Sequence, residues 1–222
     1  MRLVYTVSVG EFYRALSKIT HPLFRAYAAR CGADFLSIDK VRSPRPPHFL
    51  KLLAVRLLHR YDRIIYFDSD AVVRASCPDL FEIVPEGSLG LVNEQIHGRD
   101  WTLEAPDLFR RYGLYWDGRV YNTGVMVFDR SHKNVFRECI HLVKRFGYVN
   151  GDGYFDQPYI NAAIARLGIK VCELDGRFNW LGVFKGIPKD EAFVIHGAWR
   201  DKTVEFLERE RKRSGWPAEA LS

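Results

Sequence analysis

The sequence predicts an α/β fold with a mostly parallel central sheet flanked by helices. Two observations carry that prediction. Apolar, β-branched runs alternate with helix-periodic runs from residue 3 to residue 196, and the strongest strand-like run, RIIYF (63–67), ends directly in Asp68-Ser69-Asp70. Such alternation implies a sheet covered on both faces, and ligands of such folds sit beyond the carboxyl ends of the strands. With 222 residues, of which 47% are hydrophobic, the chain can bury one sizeable core and is short for two ordinary domains. No linker divides it, so one domain over 1–222 is expected.

The elements follow in order. LVYTVSV (3–9) reads as a buried first strand. From Glu11 to Cys31 the apolar residues Phe12, Leu16, Ile19, Leu23 and Tyr27 recur at helical spacing, and Pro22 predicts the start of a second helix there. Gly32 closes that stretch, and DFLSI (34–38) is a short second strand. SPRPPH (43–48) is a loop, because its prolines neither donate to a ladder nor continue a helix. A helix is expected from Phe49 to His59, with Leu50, Leu53, Leu57 and Leu58 inward. Beyond RIIYF, strands are expected at 89–93, 120–128, 169–174 and 193–196, and helices at 131–146 and 156–167.

Composition narrows the function classes. A net charge of +6 and a pI near 9.2 favour anionic partners. The positive residues are spread out rather than gathered in a stripe interleaved with aromatics, which argues against nucleic acid. Cys31, Cys77, Cys139 and Cys172 lie far apart without metal-site spacing and read as free thiols of a reduced compartment. No apolar run has the length of a membrane span, about 18 residues, and the N-terminal run is short for a signal peptide. A cytoplasmic protein is expected, one that can rest on a membrane surface.

The acidic pair is the focus of the chemistry. Two carboxylates at a strand mouth hold a hard divalent cation by oxygen ligation, together with phosphate oxygens of a ligand. Left alone they repel, so a cation or a shared proton is expected between them. A solvated turn is the plain alternative, but IIYF before and AVV after make the surroundings apolar.

RIIYFDSDAVV, preceded by a helix carrying Lys51, resembles the donor-binding core of glycosyltransferase family eight. That family includes glycogenin and the bacterial lipopolysaccharide galactosyl- and glucosyltransferases. YNTGVMVFD (121–129), DQPYINAA (156–163), RFNW (177–180) and VIHGAWRDK (194–202) resemble its further motifs in the same order. Two stretches depart from the pattern: the first strand runs into VSVGEFY instead of Asp-x-Asn-Tyr, and Gly197 follows His196 directly. The resemblance implies a GT-A type single domain that takes a hexose, glucose or galactose, from a UDP-sugar with Mn²⁺ or Mg²⁺ and retention of configuration.

Residue roles follow from the same resemblance. Asp68, Asp70 and His196 would hold the metal; for His196 the alternative is a core histidine satisfied by a backbone carbonyl. Lys51 and Lys202 would neutralise the diphosphate, against the alternative of solvated lysines, and Ser69 would lie against the ribose or diphosphate. Thr6, Thr123 and Gly197 complete the expected donor contacts. Asn122 and Gly124 would meet the sugar, or else form a β-bulge with Asn122 satisfied by backbone. Asp156 and Gln157 would contact the transferred sugar, although Asp156 with Pro158 after it also reads as a helix N-cap. Asp156, Gln157 and Asp70 are the expected catalytic residues. A front-face transfer, with the leaving phosphate as base, needs no protein nucleophile.

Trp101, Trp116, Trp180 and Trp199 are candidate sugar-stacking platforms, and the polar, aromatic stretch 94–119 is where the acceptor is expected. That acceptor is open between a saccharide, a lipid-linked group and a protein. The basic tail, about 203–222, reads as a solvated terminal helix or as a peripheral membrane contact. Two other functions compete. A haloacid-dehalogenase-like phosphatase would use Asp68 as nucleophile and GDGYFD (151–156) as its magnesium motif. A non-catalytic nucleotide-sugar-binding domain would keep the fold without turnover.

Overall fold

In the computed structural model, which describes residues 1–41, 46–148, 155–198 and 203–221, the strongest apolar runs form the middle of a six-stranded sheet. Its first elements are β1 (Arg2–Val7), α1 (Glu11–Arg30) and β2 (Asp34–Ile38). A 3₁₀ stretch, Pro47–Leu53, runs into the short α2 (Ala54–Leu57) and then β3 (Arg63–Phe67), β4 (Ala71–Val73) and α3 (Leu80–Ile83). There follow β5 (Leu89–Asn93), α4 (Glu104–Arg111), β6 (Tyr121–Asp129), α5 (Lys133–Phe146) and α6 (Gln157–Leu167). The chain ends with β7 (Val171–Glu173), β8 (Val194–His196) and α7 (Val204–Lys212).

The strand order is β2-β1-β3-β6-β5-β7, with β6 antiparallel to both neighbours and the other pairs parallel. Successive residues of the central strands feed opposite cores, as the pleat requires. Ile64, Tyr66, Met126 and Phe128 pack on one side with α5 and α6, whereas Ile65, Phe67, Val125 and Val127 pack on the other with α1. All of these are buried on both faces of the sheet, which is why their segments read as continuous apolar runs rather than alternating ones.

The reversed strand positions the site. Because β6 runs against β3, the carboxyl end of β3 meets the amino-terminal part of β6: Phe67 pairs with Val125, and Asp68 N–H donates to the Gly124 carbonyl at 2.8 Å. The end of β5 arrives at the same edge, with Val92 opposite Asn122 and Glu94 N–H on the Val120 carbonyl. A register shift between Gly90 and Val92 marks a bulge there.

Three expectations change. Residues 11–30 form one helix with Pro22 inside it. A mid-helix proline costs about 3 kcal/mol, and here buried residues on both sides of it, from Leu16 to Ala28, hold the two halves together as one helix. The predicted helix at 49–59 is a 3₁₀ stretch followed by a single α-turn. The run at 193–196 does not join the main sheet; β8 pairs antiparallel with β4 in a separate two-stranded ribbon, Ala71 opposite His196.

The C-terminal helix packs rather than floats. Phe206 and Leu207 of α7 are buried with Leu16, Ile19, Leu23, Val72 and Ile195, so the apolar side chains that a membrane contact would use already face the protein. Among the described residues no helix is long and apolar enough to cross a membrane.

Candidate active site

The turn that follows β3 delivers the acidic pair. Ala71 N–H closes on the Asp68 carbonyl at 3.0 Å, Thr20 Oγ1 donates to the Ser69 carbonyl at 2.8 Å, and Gly197 N–H donates to the Asp70 carbonyl at 2.9 Å. The pairing of β4 with β8 then swings His196 over the pair: its Nε2 is 3.7 Å from Asp68 Oδ2 and 3.5 Å from Asp70 Oδ1. One ligand atom from each of the three residues fits within 4.8 Å of the others. Two carboxylate oxygens and one imidazole nitrogen so disposed fit a divalent cation such as Mn²⁺ or Mg²⁺.

Gly124 makes room for the histidine. A Cβ at position 124 would stand 2.2 Å from His196 Cε1. The group that approaches this glycine closely is therefore the imidazole ring.

Lys51 lies beneath the cleft, 1% exposed. Its Nζ is 2.9 Å from Asp156 Oδ2, 3.3 Å from Asp68 Oδ1 and 3.3 Å from the Thr123 carbonyl, and it stands 4.9 Å over the Tyr66 ring. Burial works against its charge, but the carboxylates of Asp156 and Asp68 outweigh that effect and hold its pKa above the ordinary lysine value. Tyr66 OH donates to Asp68 Oδ1 at 2.5 Å; burial, reinforced by that carboxylate, pushes the phenol well above its usual pKa. Lys51 is thus a buried counter-charge for two site carboxylates and not a solvated lysine.

Asp156 takes the N-cap position of α6, yet its side chain caps nothing; it accepts from Thr123 Oγ1 at 2.9 Å and pairs with Lys51. Gln157 Nε2 donates to Glu94 Oε1 at 3.1 Å. Asn122, for which a bulge and a sugar contact were both open, sits at the bulge but is satisfied mainly by side chains. Its Nδ2 donates to Glu94 Oε1 at 2.8 Å, and its Oδ1 accepts from Asn179 Nδ2 at 2.7 Å and from Gly124 N–H at 2.9 Å.

Two residues at the centre of this arrangement carried no individual expectation. Glu94 is fully buried and accepts four donors: Asn122 and Gln157 on Oε1, Arg99 (2.8 Å) and Trp101 Nε1 (3.0 Å) on Oε2. Asn179, also fully buried, links Asn122 to His196. The available signal for Glu94 was a carboxylate immediately after the apolar strand LGLVN, the placement that singled out Asp68.

One cleft of about 310 Å³ is walled by Tyr13, His48, Asp68, Asp70, Arg99, Asn122, Thr123, Gly124, Phe155, Asp156, Gln157, His196 and Ala198, with Lys51, Glu94 and Asn179 buried behind that wall. Its aromatic wall is formed by rings other than Trp101, Trp116 and Trp180. Phe155 stacks on His48 at 3.9 Å between ring centroids, and Tyr13 OH meets His48 Nε2 at 2.9 Å. Trp101 is buried on Glu94, Trp116 stacks on Phe109, and Trp180 Nε1 donates to the Ile187 carbonyl, so each indole is engaged in packing. Stretch 94–119 supplies Arg99 to the cleft. Ser69 borders a small annexe beside the acidic pair, whereas Thr6 is fully buried in β1 and does not line the cleft. Lys202, Trp199 and residues 151–154 of the GDGYFD stretch lie outside the described residues.

The α/β fold, with an Asp-x-Asp turn at the carboxyl end of β3 and a histidine set against it by the β4–β8 ribbon, is of the GT-A class of glycosyltransferases. The family model described as glycosyl transferase family 8 matches residues 35–205, and the chain belongs to that family. It is accordingly a glycosyltransferase, and the phosphatase alternative falls.

Solved structures agree on the fold. Galactosyltransferase LgtC, in complex with donor and acceptor sugar analogs, is 17% identical with a TM-score of 0.58, over 99% of this chain and 98% of that one. A glycosyltransferase involved in glycosylation of the major capsid of PBCV-1 is 12% identical with a TM-score of 0.62, over 96% and 98% of the two chains. Glycosyltransferase GlyE of Streptococcus pneumoniae TIGR4 is 14% identical with a TM-score of 0.64, over 99% of this chain and 62% of GlyE. Among curated protein sequences none matches the chain significantly.

Proposed function

We propose that the protein transfers a hexose, glucose or galactose, from a UDP-sugar to an acceptor hydroxyl with retention of configuration, in a reaction dependent on Mn²⁺ or Mg²⁺, and that residues 1–222 work as one unit. The observation that carries this reading is the convergence of Asp68, Asp70 and His196 within 4.8 Å at the wall of a polar cleft. A bound divalent cation supplies positive charge for the diphosphate as the sugar–phosphate bond breaks.

The chain's own residues divide the remaining work. Asp68 is held by Tyr66 and Lys51 on one oxygen, which leaves the other on the histidine side. Lys51 acts on the diphosphate through these carboxylates, while Lys202, with Ser69 and Gly197, would meet it directly. Asn122, Thr123, Asp156 and Gln157 line the space where the transferred sugar would sit. The acceptor oxygen attacks the anomeric carbon from the face that UDP leaves; the bond to the diphosphate oxygen breaks, and a leaving phosphate oxygen takes the acceptor's proton. Gln157 stays non-covalent. Arg99 and the Phe155–His48 stack form the wall available to an acceptor.

The test is thermal unfolding with UDP, UDP-glucose, UDP-galactose and GDP-mannose, each with and without Mn²⁺. Stabilisation by the uridine nucleotides only when metal is present is expected. Asp70→Asn should keep the fold and lose metal-dependent donor hydrolysis; wild-type hydrolysis by that variant refutes the site.

A further inference from the structure

The buried amides behind the cleft form a chain with a single allowed direction, and we infer that this chain makes Asn179 a positioning residue that fixes which nitrogen of His196 carries the hydrogen. The inference rests on the metal-site reading above. Its starting point is Asn122, whose amide is fixed at both ends. Gly124 N–H can only donate, so the atom 2.9 Å from it must be the Asn122 oxygen. The Glu94 carboxylate, already accepting from Arg99 and Trp101, takes Asn122 Nδ2 at 2.8 Å.

Asn179 then has no choice of orientation. The group 2.7 Å from Asn122 Oδ1 must be its NH₂, because the flipped amide would set two oxygens against each other. Its Oδ1 therefore faces His196 Nδ1 at 3.0 Å, and only Nδ1–H satisfies that acceptor. Nε2 is left with its lone pair, on the side where Asp68 and Asp70 lie 3.7 and 3.5 Å away. Glu94 and Asn179 are fully buried and Asn122 and His196 nearly so, which leaves little access for water to repair a reversed dipole. A ligating imidazole needs this state: one nitrogen donating to a fixed acceptor, the other bare toward the cation.

The experiment reads His196 directly by two-bond ¹H–¹⁵N correlation spectra of metal-free, ¹⁵N-histidine-labelled protein, at a pH where the ring is neutral. The wild type is expected to carry the hydrogen on Nδ1. Asn179→Leu, of similar size but without the acceptor, should shift the ring toward the Nε2–H tautomer and weaken Mn²⁺ binding about 10–100-fold, the range typical of lost partners behind metal ligands. Asn179→Asp keeps an acceptor for Nδ1–H but sets its other oxygen against Asn122 Oδ1, so it should be less stable than Asn179→Leu and yet hold the Nδ1–H tautomer and bind Mn²⁺ more tightly than it; a merely structural role predicts that affinity follows stability. A wild-type ring with hydrogen on Nε2 overturns the inference without any variant having to fold. So does an Asn179→Leu protein with unchanged tautomer and affinity. A wild type that holds the Nδ1–H tautomer but binds no Mn²⁺ supports the amide chain and overturns the metal reading instead.

Discussion

Gly124 and His196 occupy adjoining space so tightly that a Cβ on the glycine would lie 2.2 Å from the imidazole Cε1. The clash is with a side chain that can rotate away, so Gly124→Ala should fold with His196 displaced from Asp68 and Asp70. Losing the Asn179 hydrogen bond should cost on the order of 1 kcal/mol. Mn²⁺ affinity, followed by the loss of free-ion EPR signal, should fall about 10-fold or more. Wild-type affinity in this variant would remove His196 from the metal site.

Lys51 is the counter-charge for Asp156 and Asp68, and Lys51→Met should leave the buried Asp156 and the half-buried Asp68 without it. A destabilisation of about 3–5 kcal/mol is expected, measured by urea unfolding, and adding Asp156→Asn should recover part of it. The folded lysine has a raised pKa. Its contribution is therefore fully present below the unfolded value, about 10.4, and is lost only as pH rises through the still higher folded value. The gap between wild type and variant should stay constant between about pH 7 and 9, given those pKa positions. A gap below about 1 kcal/mol, the scale of an exposed ion pair, would show that the buried charge is not needed.

His21 should make the fold sensitive to acid. It meets Ser8 Oγ at 3.0 Å, and burial lowers its pKa to about 4, against a smaller opposing pull from Asp39. A depressed histidine pKa means that the unfolded chain takes up the proton first. Stability is thus full above the unfolded value, about 6.5, and declines as pH falls toward the folded one. His21→Gln should flatten the fall in unfolding free energy across that window by roughly 1.4 kcal/mol per pH unit in its steep part. An unchanged slope would mean that other groups carry the acid response.

Much of the fold was legible because it rests on local rules. β3, β5 and α6 appeared at 63–67, 89–93 and about 156–167, where buried apolar runs and a proline-marked helix start announced them. Pro22 misled because its local cost is outweighed by packing along both halves of α1, a tertiary term with no local signature. Within the site, Asp68 and Asp70 declared themselves at the end of an apolar strand. Glu94 did not, since one carboxylate after a strand has many explanations until four donors are seen around it.

By itself the sequence determined the alternating α/β pattern, the acidic turn after β3 and the ordered motifs of a glycosyltransferase, because strand periodicity and apolar flanks are properties of neighbouring residues. Only the tertiary structure decided that β6 runs backwards to bring Gly124 beside Asp68, that β8 leaves the main sheet to set His196 on the acidic pair, and that Lys51 lies under the cleft. Those placements depend on strand direction, on which strands pair and on burial, and each joins residues too far apart in the chain for any local pattern to record.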